Sequence, residues 1–200
     1  MRLLLASASP RRAELLTSAG FSFDVAPADV DERVWPGEAP PIYALRVARA
    51  KAHAAQASCR KSGTIVVAAD TVVVADGQIL GKPGDGAEAR TMLKRLSGAV
   101  HEVLTAVVLC ADGREVSEVV TTRVRLLPLS DAEIAWYIAS GEPDGKAGAY
   151  GIQGRAARFI DWIEGSWSNV VGLPIATVYA LLKELGTRPE GWYSEEPRLP

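Results

Sequence analysis

The sequence predicts an α/β fold, and three observations predict this class. The chain opens with a short apolar strand at 2–6, a Ser-Pro turn and a helix over Pro10–Ala19. Two β-branched stretches then carry the pairs Asp76-Gly77 and Asp112-Gly113, which are typical of two-residue hairpin turns. An alanine-rich segment at 43–58 has strong helix propensity. Strands and helices therefore alternate along the chain.

The other elements follow from the same kinds of signal. Alternating or β-branched residues predict strands, apolar residues spaced by three and four predict helices, and clusters of Asp, Pro and Gly predict loops. In chain order these are a strand at 22–26, a loop at 27–41, a strand at 64–75 whose hairpin continues to 78–83, a helix at 85–97, strands at 100–110 and 114–126, a helix at 130–139, a glycine-punctuated loop at 141–154, a strand at 157–163, the turn "GSWSN" and a last helix after Pro174.

Length and composition restrict the class of protein. Two hundred residues with 48% hydrophobic content can bury one full core, so we expect a single domain at 1–186 followed by a tail at 187–200. The net charge of −2 argues against polymeric nucleic acid as a partner. No apolar run is long enough to span a membrane, and "MRLLLAS" is too short for a signal peptide. We therefore expect a cytoplasmic protein without a membrane partner.

The two cysteines carry no metal or disulfide pattern. Cys59 and Cys110 form no CxxC pair and have no histidine nearby at ligand spacing. His53 and His101 likewise have no partner at triad or metal spacing. We expect two reduced thiols and two structural histidines.

The junction between the first strand and the first helix predicts a phosphate site. Ser9 is a natural helix cap and Pro10 a natural first residue, which puts Arg11 and Arg12 in the first turn. A cation there costs about 0.3–1 kcal/mol, because the helix dipole is positive at that end. Free N–H groups, two guanidiniums and the hydroxyls of Ser7 and Ser9 can bind phosphate oxygens. The alternative is a surface helix with two solvated arginines.

A carboxylate interrupts the most apolar strand. Asp70 lies between two β-branched runs, where an isolated charge is costly unless it is paired or bound to a metal ion. A two-residue hairpin at Asp76-Gly77 would place Lys82 opposite Thr71 and beside Asp70. The alternative is a structural Asp at a strand end with a surface Lys.

Two further charged residues are candidates for the same site. Lys51 falls in the apolar stripe of the helix that begins near residue 41, which predicts an inward side chain, although its amine can also reach water. Glu32 lies in an acidic loop, where such residues are usually solvated. Together with Asp70, Glu32 could instead form an oxygen-rich site for Mg²⁺.

The loop "KAGAYGIQG" lets backbone approach a flat ligand closely. Gln153 at its tip offers one donor and one acceptor, which match the adjacent N3–H and O4 of uracil or thymine, whereas cytosine presents the reverse order. A glycine-rich loop is, however, often only a turn. In "GSWSNVVGLP", Asn169 is predicted to cap a turn.

These motifs together resemble the Maf family of nucleotide pyrophosphatases. The resemblance runs from about Leu3 to Leu185 and rests on "SASPRR", "VDER", "ARAKA", "AADTVV", "GKP", "SGAVHEVLTAV", "KAGAYGIQG" and "GSWSNVVGLP", in the order of the family. It implies an elongated mixed sheet flanked by helices, with two lobes and a central cleft, as in inosine-triphosphatase-like folds. It also implies hydrolysis of nucleoside triphosphates to the monophosphate and pyrophosphate.

The resemblance implies a role for each candidate residue. It assigns the general base to Asp70, phosphate binding to Ser7, Ser9, Arg11, Arg12, Lys51 and Lys82, a divalent cation to Glu32 and Asp70, and substrate choice to Arg12, Thr71 and Gln153. "YGIQG" resembles the subfamily that acts on dTTP and UTP. One departure is that Gly145, and not an acid, precedes Lys146.

Alternative functions and the expected partners follow from the same resemblance. The enzyme could act on 7-methyl-GTP or on a broad set of noncanonical nucleotides, or the protein could be a nucleotide-sensing regulator of cell division that does not hydrolyse its ligand. The expected cofactor is Mg²⁺, with Mn²⁺ or Co²⁺ as alternatives. A nucleoside triphosphate is the expected substrate, a homodimer is a family expectation, and removal of unwanted nucleotides is the implied role.

Overall fold

The computed structural model describes residues 2–59 and 62–187. Only the first residue of the predicted tail at 187–200 lies among them. The strands are β1 Arg2–Leu5, β2 Phe23–Val25, β3 Thr64–Ala75, β4 Gln78–Leu80, β5 Val100–Ala111, β6 Arg114–Leu126 and β7 Ile160–Glu164. The helices are α1 Pro10–Ser18, α2 Pro40–Ser58, α3 Gly86–Leu96, α4 Asp131–Ile138, α5 Trp167–Val171 and α6 Ile175–Glu184, with 3₁₀ turns at Ala147–Ala149 and Arg155–Phe159.

The strands form one mixed seven-stranded sheet. Their order is β2-β1-β3-β5-β6-β7, with β4 paired to β3. β2, β1 and β3 are parallel, and the other pairs are antiparallel. Helices cover the sheet, so the predicted α/β class with a mixed sheet is confirmed. Within the described residues, no helix has the length and apolar character needed to cross a membrane.

The central strand β3 has an opening along one side. β1 pairs with it at Thr64–Val67 and β4 pairs with it at Val73–Ala75. No described strand pairs with this side between the two segments, whereas β5 continues along the other side. Asp70 and Thr71 therefore lie where a cleft can enter the sheet.

The two faces of β3 pack against different layers. Ala68 and Val72 lie in the cluster formed with α2, and Val67 and Ala69 lie in the cluster formed with α1 and α6. Because side chains alternate along a strand, Asp70 shares the α2 face and Thr71 the opposite face. The α2 layer lies close to the sheet because its buried residues are mostly small, namely Ala44, Ala48, Ala52 and Ala55.

The carboxyl-terminal third differs in detail from the prediction. The strand predicted at 157–163 begins only at Ile160, because Arg155–Phe159 forms a 3₁₀ turn whose Phe159 packs edge-to-face on Tyr137. The predicted turn "GSWSN" contains the start of α5, where the Ser166 side chain caps the helix by accepting from the Asn169 N–H.

Candidate active site

Arg12 is buried at the start of α1 and held by three protein acceptors. Its Nε donates to the Gly172 carbonyl at 2.8 Å, Nη1 to Ser7 Oγ at 3.0 Å, and Nη2 to Thr71 Oγ1 at 3.1 Å. Burial lowers the pKa of Arg12, and the negative charge of Asp70 opposes this effect. A guanidinium has five N–H groups, so two remain for a ligand.

Thr71 links Arg12 to Thr105, its partner on the neighbouring strand β5, and through Thr105 to Asn169 on α5. Its Oγ1 lies 3.0 Å from Thr105 Oγ1, and Thr105 donates to the Asn169 carbonyl at 3.1 Å. The single hydroxyl hydrogen of Thr105 is used there, so that of Thr71 points to Thr105 or to the Gly172 carbonyl at 3.4 Å, while the Thr71 oxygen accepts from Arg12. Thr71 therefore positions the Arg12 guanidinium.

The first turn of α1 carries positive charge and contains no acidic residue. Ser9 occupies the N-cap position with an extended backbone, but its side chain makes no capping hydrogen bond. Its own N–H donates instead to Ser7 Oγ at 3.2 Å. Arg11 is half-buried, and its guanidinium forms no ion pair with any described residue. This end of α1 can therefore receive an anion.

Lys51 joins two carboxylates on the opposite side of β3. Lys51 and Asp70 are only 8% and 7% exposed. The Lys51 Nζ lies 2.7 Å from Asp70 Oδ1 and 2.6 Å from Glu32 Oε1. The Lys51 side chain points inward because α2 packs on the face of β3 that carries Asp70. Three charged groups from three separate segments thus meet at one point.

The pKa values of the two acids shift in opposite directions. Burial raises the pKa of Asp70, although the charge and hydrogen bond of Lys51 and the charge of Arg12 oppose the rise. Burial would also raise the pKa of Glu32, but the hydrogen bond and charge of Lys51, together with Lys82, outweigh it and lower the pKa. Asp70 is therefore the better proton acceptor of the pair.

Lys82, which follows β4, lies near Glu32. The predicted hairpin register is confirmed, since Val73 pairs with Leu80 across a two-residue turn in which Asp76 has a φ of 49°. β4 ends at Leu80, however, so Lys82 lies beyond the ladder and is not paired with Thr71. Its exposed Nζ lies 3.5 Å from Glu32 Oε2.

The glycine-rich loop packs directly on β3. The Gly148 N–H donates to the Gly81 carbonyl at 3.0 Å, and Gly148 and Ala149 have φ angles of 68° and 61°. A Cβ at Gly148 would lie 2.9 Å from Val73 Cγ1. Glycine is therefore required here both by the backbone conformation and by the close approach.

Replacing Gly148 with alanine is expected to lower the free energy of unfolding by about 1–3 kcal/mol more than the same change at Gly145. Gly145 is a matched control, because its φ is 67° but a Cβ there would meet nothing within 4 Å. Both variants are destabilised because alanine disfavours the left-handed backbone conformation, and only Gly148→Ala adds the overlap with Val73. Urea denaturation measures both values, and equal losses would show that the overlap is relieved at no cost.

Sequence reasoning assigned no role to Lys146 or Glu142, which also line the cleft. Lys146 Nζ donates to the Glu142 carbonyl. Burial lowers the pKa of Lys146, and the positive charge of Arg11 lowers it further. Lys146 and Arg11 therefore form a second region of positive charge on the lining of the cleft. In the sequence this segment stood out only because Gly145, and not an acid, precedes Lys146. Its position near α1 is visible only in the fold.

Asn169 does not cap a turn, as predicted, but ties α5 to the sheet. The capping interpretation is wrong, since Ser166 is the cap and the Asn169 side chain is fully buried. Its Nδ2 donates to the Val103 carbonyl and to Thr122 Oγ1, both at 2.9 Å. Asn169 thereby holds α5 and Gly172, and hence the acceptor for Arg12 Nε, against the sheet.

The charged groups described above, from Arg11 and Arg12 to Lys51, Asp70 and Lys146, border one cleft of about 570 Å³. Gln153 lies exposed at its rim, on the glycine-rich loop. The cleft is lined by every residue that the sequence singled out for the site, namely Ser7, Ser9, Arg11, Arg12, Glu32, Lys51, Asp70, Thr71, Lys82 and Gln153. Its chemistry is a buried acid beside several cations, which suits a polyanionic ligand.

The chain is similar to known proteins over most of its length. The family described as Maf-like protein matches residues 2–185. This chain belongs to the Maf family. A dTTP/UTP pyrophosphatase of Anaeromyxobacter dehalogenans (strain 2CP-C) is 54% identical over 189 residues, which cover 92% of this chain and 94% of that protein. Proteins of the same name from Koribacter versatilis (strain Ellin345) and Geobacter metallireducens (strain ATCC 53774 / DSM 7210 / GS-15) are 52% and 50% identical, over 93% and 92% of this chain and 95% and 96% of theirs.

The predicted membership of the Maf family is therefore confirmed. In this Maf chain three motifs that are distant in sequence lie together at the unpaired stretch along one side of β3. "SASPRR" follows β1, "AADTVV" forms the centre of β3, and "GKP" follows β4, so all three border the same gap. The gap in the sheet thus brings residues of these three motifs to one cleft.

Proposed function

We propose that this Maf protein hydrolyses dTTP and UTP to the nucleoside monophosphate and pyrophosphate. The observation that carries the proposal is the buried Asp70 carboxylate, which opens into the same cleft as the anchored Arg12 guanidinium and the uncapped end of α1. The names of relatives that are 50–54% identical agree with it. The domain at 1–186 is proposed to act in the cytoplasm, and sedimentation of the purified chain tests the expected homodimer.

The cations of the cleft are proposed to bind the triphosphate. Arg12 presents two N–H groups that its protein acceptors leave unused, and Arg11 adds a guanidinium with no partner among the described residues. Lys51 and Lys82 lie on the side of the acids. Preorganised cations stabilise the charge that develops on phosphate oxygens as the bond to the leaving group breaks.

Asp70 is proposed to act as the general base. Lys51 holds Oδ1, which leaves Oδ2 to accept a proton from water. The water oxygen forms a bond to the α-phosphorus, the bond from that phosphorus to the bridging oxygen breaks, and pyrophosphate leaves with the bridging oxygen. The raised pKa of Asp70 favours its role as acceptor.

The two acids also fit a divalent cation. Oxygens of Asp70 and Glu32 already converge on a single positive charge, the Lys51 ammonium, at 2.7 and 2.6 Å. Mg²⁺ prefers such carboxylates together with substrate phosphates, and Mn²⁺ or Co²⁺ could take the same ligands. When bound, the ion would neutralise phosphate charge and make water more acidic.

The rim of the cleft is proposed to select the base. The Gln153 amide can accept from N3–H and donate to O4 of uracil or thymine, an order that cytosine reverses. Thr71 contributes indirectly, because its hydroxyl is already bonded to Arg12 and fixes the position of that guanidinium. Substrate choice thus depends on both ends of the nucleotide.

A pyrophosphate-release screen with each of the three metals tests this function. We expect dTTP and UTP to be hydrolysed faster than CTP and 7-methyl-GTP. Gln153→Ala is expected to reduce the preference for UTP over CTP about 10-fold, roughly the effect of one lost hydrogen bond. Gln56→Ala on the exposed side of α2 is the matched control and should keep the preference.

The outcomes of this screen separate the alternatives. Faster hydrolysis of 7-methyl-GTP, or equal rates on many noncanonical nucleotides, would replace the pyrimidine assignment. Nucleotide binding without pyrophosphate release under any of the metals would instead support a nucleotide-sensing regulator of cell division.

A further inference from the structure

Three side chains with metal-binding atoms converge outside the cleft. His53 on α2, Cys110 on β5 and Glu115 on β6 each direct one such atom to a common point, and these atoms lie within 4.8 Å of one another. None of the three lines the cleft around Asp70. From this convergence we propose a second metal site, for Zn²⁺, formed by His53 Nε2, Cys110 Sγ and Glu115 Oε2.

The backbone fixes this arrangement. Cys110 and Glu115 are directly opposed in the β5–β6 ladder, next to the turn that joins the two strands, so their side chains lie on the same face of the sheet. That face is the one covered by α2, because Cys110 belongs to the core cluster that α2 forms with β3 and β5. His53 therefore meets the pair from the helix above. Rigid elements supply all three ligands.

The set of donor atoms selects zinc over the cation proposed for the cleft. A nitrogen, a sulfur and a carboxylate oxygen are the ligands that Zn²⁺ takes in proteins, whereas Mg²⁺ requires oxygen ligands. Three protein ligands would leave a fourth position for water. Loss of the thiol proton on binding would make the cysteine and glutamate charges balance those of the ion.

Arg49 completes the site as a partner of the carboxylate. Glu115 Oε1 accepts from Arg49 Nε at 2.6 Å, while Oε2 lies 2.8 Å from His53 Nε2. One carboxylate oxygen is thus held by a neighbour and the other faces the histidine, which is how a one-oxygen metal ligand is usually supported. Tetrahedral zinc ligands lie roughly 3.5 Å apart, given bonds of about 2.0–2.3 Å. The three ligand atoms, all within 4.8 Å of one another, lie near that spacing, and the exposed His53 side chain has room to adjust.

Cobalt is the probe for this site, because a bond from thiolate to Co²⁺ gives a charge-transfer absorption band that carboxylate ligands in the cleft cannot give. The full chain, stripped of metal by a chelator, is titrated with Co²⁺ and the band is then displaced by Zn²⁺. We expect the band in the wild type and its loss in Cys110→Ala. Cys59→Ala, which removes the other cysteine, is the matched control and should keep the band.

Surface variants keep the test independent of folding. His53 is 57% exposed, so His53→Ala should fold normally, and its Zn²⁺ affinity should fall by more than the roughly 10–100-fold that loss of a supporting partner costs. Arg49→Ala should lower the Zn²⁺ affinity by roughly 10–100-fold. No band in the wild type, a band that depends on Cys59, or unchanged affinity in both His53→Ala and Glu115→Gln would overturn the proposal.

Discussion

Replacing Asp70 with asparagine is expected to lower kcat for pyrophosphate release by roughly 10²–10⁴-fold, the usual contribution of a general base. The amide keeps the shape of the side chain but cannot accept a proton from water. Nucleotide binding should persist, because Arg12 is held by Ser7, Thr71 and Gly172 and makes no hydrogen bond to Asp70. Pyrophosphate release and nucleotide affinity are measured in parallel.

Asp76→Asn is the matched control for this change. Asp76 is an exposed carboxylate on the same strand-and-hairpin unit, and its φ of 49° is one that asparagine tolerates. The control should retain wild-type kcat. Full pyrophosphate release by Asp70→Asn would show that the base lies elsewhere, and loss of activity in both variants would point to damage of the hairpin.

The second large effect is expected for Arg12→Lys, which should lower kcat/KM by roughly 10²–10³-fold although the charge is kept. An ammonium has no planar fork, so it cannot bond to Ser7, Thr71 and Gly172 while also presenting two N–H groups to phosphate. Buried acceptors left without donors cost about 1–3 kcal/mol each, so the melting temperature should also fall.

Arg11→Lys separates positioning from charge. Arg11 stands next to Arg12 in the same helical turn, but no described residue forms an ion pair with its guanidinium. Lysine there keeps the charge and breaks no ion pair with a described residue, so the loss in kcat/KM should be much smaller and the melting temperature nearly unchanged. Equal losses in the two variants would contradict the anchoring role of Ser7, Thr71 and Gly172.

Much of the site could be predicted because local rules were broken in visible places. Arg11 and Arg12 oppose the helix dipole, and Asp70 interrupts a β-branched strand, so both violations indicate a missing ligand. The hairpin register also followed from two residues, Asp76 and Gly77. The order of the motifs along the chain then indicated the Maf family.

Other parts of the site depend on contacts that sequence spacing does not encode. The side of β3 that α2 covers decides that Asp70 meets Lys51 and that Thr71 meets Arg12. The spacing of Cys110 and His53 argued against a metal site, yet the β5–β6 ladder and α2 bring their ligand atoms together with Glu115. The prediction that Lys82 pairs with Thr71 assumed a ladder that continues past Leu80, but β4 ends there.

Hydrolysis of dTTP in water labelled with ¹⁸O tests most directly whether the cleft directs water to the α-phosphorus. Mass spectrometry of the two products shows which of them received the water oxygen. If Asp70 and the surrounding cations act as proposed, the label appears in the monophosphate and the pyrophosphate remains unlabelled. Label in the pyrophosphate would mean attack at the β-phosphorus and would contradict the proposed mechanism.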